Sequence, residues 1–344
     1  MNAMADTRAD GSGRSGLVLQ ARDLCRHFAK KRGPFDRPAV LRAVDGVSLS
    51  LGRSQVVSIV GESGSGKTTL ARMLVGLDRP TSGTLSVMGR SVDEWRGRNR
   101  TGLATQVQMI FQDPFASLNP RMSVRQILEE PFRIARAPID RSPGAIDARL
   151  ALLLQNVGLT AESLERYPHQ FSGGQRQRIA IARSLALEPA ILVCDEPVAA
   201  LDVSVRAQII NLLKSLQERL GISIVLIAHD LSVVEIVSDD VVVMYIGKVM
   251  EAGPVETVYR TPAHPYTASL LASVPRLRHE PREDPGSRLR LKGELPSPLA
   301  PPSGCRFRTR CWKAQKICAE VEPPLAPVGG NVRAACHFPE RSHG

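Results

Sequence analysis

The chain has 344 residues, enough to bury a sizeable core and to hold more than one domain. Its formal net charge of +11 points to an anionic partner: a nucleotide, a nucleic acid or an acidic membrane surface. No apolar run reaches the ~18 residues of a bilayer-spanning helix, and the polar stretch Met1–Gly16 lacks the apolar centre of an export signal. Residues 1–16 are therefore expected to be a disordered leader, with the six cysteines in a reducing compartment that disfavours structural disulfides.

The first predicted strand is Leu17–Ala21, followed by a basic Pro/Gly-containing loop from Lys30 to Pro38 and a second strand over Ala43–Leu51. Gln55–Val60 reads as a short buried strand, and Thr69–Val75 has the apolar spacing of a helix. A turn at Arg79–Gly83 leads into a strand at Thr84–Met88. From about Phe115 to Leu164 the periodicity is helical, interrupted by Pro131, Pro138 and Pro143. Strand–helix alternation returns over Ile191–Ile227, with a further strand at Val241–Met244. Proline and glycine become dense after Pro262, which sets a boundary near residue 260. This alternation predicts an α/β fold with a mostly parallel sheet.

Between the buried strand and its helix stands Gly61-Glu-Ser-Gly-Ser-Gly-Lys-Thr68, a complete phosphate-binding loop. Gly61, Gly64 and Gly66 let the backbone curl so that N–H groups, including those of Ser63 and Ser65, converge on phosphate oxygens. The helix start at Thr68 and Thr69 adds its partial positive charge. Lys67 is expected on the β- and γ-phosphates and the Thr68 hydroxyl on Mg²⁺. Ile191–Glu196 is an apolar strand ending in two carboxylates, at the end where open α/β sheets bind ligands. Asp195 is placed for the Mg²⁺ shell, and Glu196 is the candidate general base for an attacking water. Phe171-Ser-Gly-Gly-Gln175 opens a helical run and forms a second anion-binding nest, Ser172 to Gln175. Two nests and one phosphate loop make sense if this nest closes over a nucleotide held by another subunit.

The loop, Gln112, Ser172–Gln175, Asp195–Glu196, Leu201–Asp202 and His229 stand in the order of the ATP-binding-cassette ATPases, which the chain resembles over roughly Leu17–Tyr259. The resemblance implies an α/β P-loop cassette over 17–260, with a mostly parallel core sheet, an antiparallel β subdomain and a helical insertion at about 113–170. It implies that Phe28 stacks on adenine and that Gln112 contacts Mg²⁺ and the water. It also implies that Ser172, Gly173, Gly174, Gln175 and Asp202 act on nucleotide across a dimer, and that His229 clamps the γ-phosphate. One departure is Ala199-Ala-Leu-Asp202, where the family has Ser-Ala-Leu-Asp; the lost hydroxyl leaves equal hydrolysis at both composite sites open.

Phe111–Pro120, Val203–Leu213 and His264–Leu271 look like the bacterial dipeptide/oligopeptide importer ATPases, and Gly66–Arg72 resembles the second of their two nonidentical ATPase subunits. That resemblance implies a peripheral motor on the cytoplasmic face of the membrane. Its implied partners are a sister ATPase in a heterodimer, two permeases and an extracytoplasmic peptide-binding protein, with no nucleic acid. The same cassette could serve nickel or another small solute, or a soluble ATPase acting on nucleic acid or ribosomes. The remaining segment, 261–344, reads as a C-terminal extension holding Cys305, Cys311, Cys318 and Cys336, spaced C-x5-C-x6-C-x17-C. The spacing alone leaves zinc, an iron–sulfur cluster, disulfides and unligated thiols open; the importer resemblance implies a [4Fe–4S] cluster. Cys25 and Cys194 read as packed small hydrophobes.

Overall fold

A computed structural model describes residues 16–30, 39–96, 100–135, 142–199, 201–273 and 293–340. The expected leader lies outside the described residues apart from Gly16, as do most of the basic loop and Pro138.

Among the described residues, twelve strands form two sheets. Strands β1 (Leu17–Lys30), β2 (Ala39–Gly52), β4 (Ser82–Val87) and β5 (Arg90–Ser91) make an antiparallel sheet in the order β2-β1-β4-β5. The other sheet comprises β3 (Val56–Val60), β6 (Val107–Ile110), β7 (Ile191–Asp195), β8 (Ser223–Ala228), β9 (Asp240–Tyr245), β10 (Lys248–Pro254), β11 (Ala326–Gly329) and β12 (Val332–Ala334). Its order is β11-β12-β10-β9-β3-β8-β7-β6. Pairs from β6 through β9 are parallel, and β10, β12 and β11 add antiparallel at one edge. The expected mostly parallel α/β core with an antiparallel subdomain is present.

The central strands read as continuous apolar runs because both their faces are buried. Successive side chains alternate between faces: Val57 and Ile59 of β3, Ile191 and Val193 of β7, and Val225 and Ile227 of β8 point into one core. Their neighbours Val56, Val60, Leu192, Cys194, Ile224 and Leu226 point into the other. The first core is closed by the antiparallel sheet and by Leu70, Ala71, Met73 and Leu74 of the helix Lys67–Leu74, all fully buried. Burial of each leucine or methionine side chain contributes about 1.5–3 kcal/mol, and the Ala71 methyl less. The helix is thus wedged between the two sheets and holds the phosphate loop at its N-terminus.

The second core takes in the helical layer, including the helices Val124–Ala135, Pro143–Asn156 and Gly173–Leu185. Pro131 does not break its helix. The turns around it are held by Ile127, Leu128 and Phe132, all buried, so packing outweighs the missing N–H bond. Pro143 opens its helix as the first residue, where its missing N–H costs nothing. The C-terminal segment shares this core through Cys305, Phe307, Cys318, Val332 and Ala334, so it continues the cassette sheet and does not form a separate layer.

Candidate functional site

The phosphate loop begins where β3 ends and closes onto the helix Lys67–Leu74. Two of its glycines are dictated by close approach and by positive φ. At Gly61, φ is 152° and a Cβ would lie 2.1 Å from the Met244 carbonyl oxygen; at Gly66, φ is 103° and a Cβ would lie 2.1 Å from that of Ala43. Lys67 is buried, with Nζ donating to the carbonyls of Gly61 at 2.8 Å and Glu62 at 3.0 Å. Burial pushes its pKa down, against the pull of the Glu196, Asp195 and Glu62 charges.

Thr68 Oγ1 donates to Asp195 Oδ1 at 3.2 Å, placing the buried carboxylate of β7 beside the loop. Burial raises the Asp195 pKa and the Glu196 charge adds to that, while the Thr68 hydroxyl, Lys67 and Arg72 oppose it. Glu196, one residue on, has a φ of 45° and donates its N–H to the Ile227 carbonyl at 3.0 Å. Its Oε2 accepts from Gln112 Nε2 at 2.9 Å and lies 3.9 Å from His229 Nδ1. Strands β6, β7 and β8 are adjacent in the sheet, so their carboxyl ends deliver Gln112, the two carboxylates and His229 to one corner.

Phe28 sits near the end of β1, opposite Leu41 of β2 and close in register to Ala43, which touches Gly66. The ring belongs to neither core; it is half-buried with the Arg26 guanidinium over it at 4.5 Å from the centroid. Ser172 caps the helix Gly173–Leu185. Its hydroxyl accepts the Gln175 N–H at 3.3 Å and its own N–H reaches Gln175 Oε1 at 3.0 Å, a reciprocal capping box. Gly174 packs so tightly on Val205 that a Cβ would meet Cγ1 at 2.5 Å. Ser172 and Gln175 are exposed, as is Asp202 at the start of the helix Val203–Leu220. The nest therefore faces outward beside Asp202, while the phosphate-loop residues converge on Asp195 and Glu196. Ala199 is described and Ala200 is not.

The expected iron–sulfur cluster requires correction. Cys305 and Cys318 are buried members of the second core, linked by the Cys305 N–H donating to the Cys318 carbonyl at 2.8 Å. Among the described residues, the one set of three or more potential ligand atoms within 4.8 Å of one another is Cys25, His27 and Asp45; the four extension cysteines do not gather in this way. Burial pushes the Cys305 thiol up to about 11 and raises Cys311 and Cys336 as well, favouring neutral thiols. Cys305 and Cys318 pack as small hydrophobes with Cys311 against them, while the half-buried Cys336 accepts the Phe338 N–H at 3.3 Å. Cys194 is a packed hydrophobe as expected, fully buried with its thiol pushed up to about 12. Cys25 is not: its sulfur is half-buried and accepts the Gly46 N–H at 3.2 Å beside Asp45 and His27.

Three residues that matter to the loop escape a reading of local motifs. Tyr266 Oη accepts the Glu62 N–H at 2.9 Å, and Arg310 Nη1 donates to both Glu62 carboxylate oxygens at 3.0 and 2.8 Å. Arg306 is buried and pairs with Asp45 and the Ile246 carbonyl. The local signals are that Tyr266 lies in the importer-like segment His264–Leu271 and that both arginines flank cysteines of the extension.

The family described as "ABC transporter" matches residues 44–199, and that described as "Oligopeptide/dipeptide transporter, C-terminal region" matches residues 250–318. The chain is 47% identical over 321 residues to the dipeptide transport ATP-binding protein DppF of Haemophilus influenzae, covering 93% of this chain and 96% of that protein. It is 45% identical to the oligopeptide transport ATP-binding protein OppF of Salmonella typhimurium, covering 94% and 95%. Both relatives are named for ATP binding. Among solved structures, a dimeric ATP-binding cassette in a post-hydrolysis state bound to ADP and Pi superposes with a TM-score of 0.60 at 26% identity, covering 69% of this chain and 98% of that one. The cbiO1 protein of Clostridium perfringens, part of the ABC transporter complex cbiONQ, does so with a TM-score of 0.60 at 28% identity, covering 71% and 91%.

Proposed function

The chain belongs to the ATP-binding-cassette ATPases of the dipeptide/oligopeptide importers, and from that premise we propose that it is the ATP-hydrolysing motor of a peptide importer, its ATP held between two ATPase subunits. The observation that carries the reading is the Glu196 carboxylate, bonded to Gln112 and facing His229, one residue from the Asp195–Thr68 pair at the phosphate loop.

Lys67 and the loop N–H groups bind and orient the β- and γ-phosphates. The donors at this corner fit a hard divalent cation: an alcohol, a carboxylate and an amide oxygen, from Thr68, Asp195 and Gln112. Mg²⁺ bound there supplies neutralisation of the charge shared by the β- and γ-phosphates. Glu196 orients the attacking water and accepts its proton, Gln112 holds that carboxylate in place, and His229, 3.9 Å from the same carboxylate oxygen, contacts the γ-phosphate. The exposed nest at Ser172–Gln175 then completes the site of a sister ATPase, in a heterodimer. Phe28, with its ring outside both cores, supplies the adenine platform.

Next to Gln112, a cleft of about 410 Å³ opens between the core and the helical layer, lined by Leu77, Trp95, Phe111 and Ile134 among others. Leu77, Phe111 and Ile134 are exposed apolar side chains, as expected of a surface that docks a permease segment. No helix among the described residues is long and apolar enough to cross a membrane, so attachment to the cytoplasmic face would run through two permeases. An extracytoplasmic binding protein would deliver the peptide. In this reading residues 17–260 are the cassette, with its helical insertion at about 113–170, and 261–344 the extension.

Glu196→Gln tests the reading. It keeps the Gln112 bond yet cannot take a proton, so ATP should still bind while turnover by the reconstituted complex falls at least about 100-fold. Undiminished turnover would remove Glu196 from the mechanism.

A further inference from the structure

The C-terminal extension reaches the phosphate loop itself, at Glu62. This residue is held at three points: its N–H by Tyr266 Oη, its carbonyl by Lys67 Nζ, and its carboxylate by Arg310. The Arg310 side chain is 7% exposed and that of Glu62 is 22% exposed, so the pair is largely withdrawn from water. Tyr266 is fully buried in an aromatic cluster, its ring centroid 4.7 Å from that of Tyr245 and 5.3 Å from that of Phe307. Arg310 also reaches the Tyr245 hydroxyl at 3.4 Å. A second contact runs in parallel. Arg306 pairs with Asp45 and the Ile246 carbonyl, and the next residue, Gly247, donates its N–H to the carbonyl of Ser65 at 2.8 Å.

The electrostatic problem solved here is specific. A carboxylate in a loop that cradles a triphosphate repels the ligand, and Glu62 is close enough to act on the Lys67 ammonium. Pairing with a guanidinium cancels that charge. The Tyr266 contact also takes the Glu62 N–H, fixing the backbone where the loop begins its curl.

We propose that the C-terminal extension is a built-in part of the nucleotide site, with Arg310 neutralising Glu62 and Tyr266 anchoring its backbone, so that the phosphate loop is set for ATP. Both are positioning residues, acting through Glu62. The proposal rests on the assignment of the loop to ATP, and the test separates the two.

ATP and ADP binding are measured by calorimetry on the purified complex carrying wild-type chain, Lys67→Ala, Arg310→Met, Glu62→Gln or Glu62→Gln/Arg310→Met. If the wild type binds no ATP, or Lys67→Ala binds it equally well, the nucleotide reading itself fails. Given normal wild-type binding, Arg310→Met should weaken ATP about tenfold and ADP less. That is the size set by one uncompensated unit charge at roughly 10 Å in a medium of effective dielectric about 20. The double variant should recover to within about twofold of wild type, because no carboxylate remains to be neutralised. Wild-type affinity in Arg310→Met, or no recovery in the double variant, would overturn the proposal. Should Arg310→Met not fold, Glu62→Gln carries the test: with Arg310 unopposed it should bind ATP at least as tightly as wild type, and weaker binding would overturn it.

Discussion

Glu196 stands in the left-handed backbone region, with a φ of 45°, a conformation that costs a non-glycine residue of order 1–3 kcal/mol. The strain is sustained by its N–H bond to Ile227 on the neighbouring strand and by the Gln112 amide. It turns the side chain out of the sheet direction followed by buried Asp195, so two consecutive carboxylates serve different ends of the same site. His264 shows the opposite economy, a titratable group kept neutral for structure. It is buried, its Nδ1 accepts the Tyr266 N–H at 3.0 Å, and burial lowers its pKa to about 3. Since the unfolded imidazole titrates near 6.5, the unfolded chain takes up a proton that the folded one refuses. Stability is therefore lost as pH falls below that value, by roughly 2 kcal/mol between about pH 6.5 and 4.5. Glu251 beside it, whose carboxylate accepts the N–H groups of Ala263 and His264, has its pKa raised by burial and contributes with the opposite sign. Urea denaturation across this range should show a shallower acid-side loss for His264→Asn, which keeps a capping acceptor but does not titrate; equal slopes would refute the assignment.

At the scale of elements, function sits at helix starts and strand ends. The helix Gly173–Leu185 begins with the Ser172/Gln175 capping box, and in the proposed dimer the same exposed turn meets the sister subunit's nucleotide. Ser172→Ala should lower stability by about 1 kcal/mol in denaturant titration and reduce turnover of the assembled complex more than that loss explains. A stability loss with full turnover would confine Ser172 to capping. These elements were legible in sequence because their signals are local: the loop lies between a strand and a helix, and the acidic pair and His229 each follow an apolar run. Tertiary packing was not legible. Pro131 looked like a breaker, but the apolar face around it holds the helix together. The importer resemblance implied a cluster on the four cysteines, and their spacing along a Pro-rich segment carries no record of where each thiol ends up. Two of them are buried in a hydrophobic core.

Over the whole molecule, the striped burial of the central sheet explains how one chain joins distant parts of its sequence at one corner. Glu62 and Arg310 are separated by 248 positions and Asp45 and Arg306 by 261; no local pattern reveals such pairs. Strands β11 and β12 extend the cassette sheet past β10, so the segment after Pro262 is tied to both the core and the phosphate loop. At the opposite edge of the sheet, beside β6, the apolar cleft opens at Phe111, the residue before Gln112. In the proposed mechanism, two half-sites on separate ATPase subunits close on ATP to drive a membrane partner. The most direct test compares ATP turnover by this chain as an isolated monomer with turnover by the complex rebuilt with its sister ATPase and permeases in vesicles. The account predicts negligible hydrolysis by the monomer and peptide-coupled hydrolysis by the complex. Equal turnover per chain in both would contradict it.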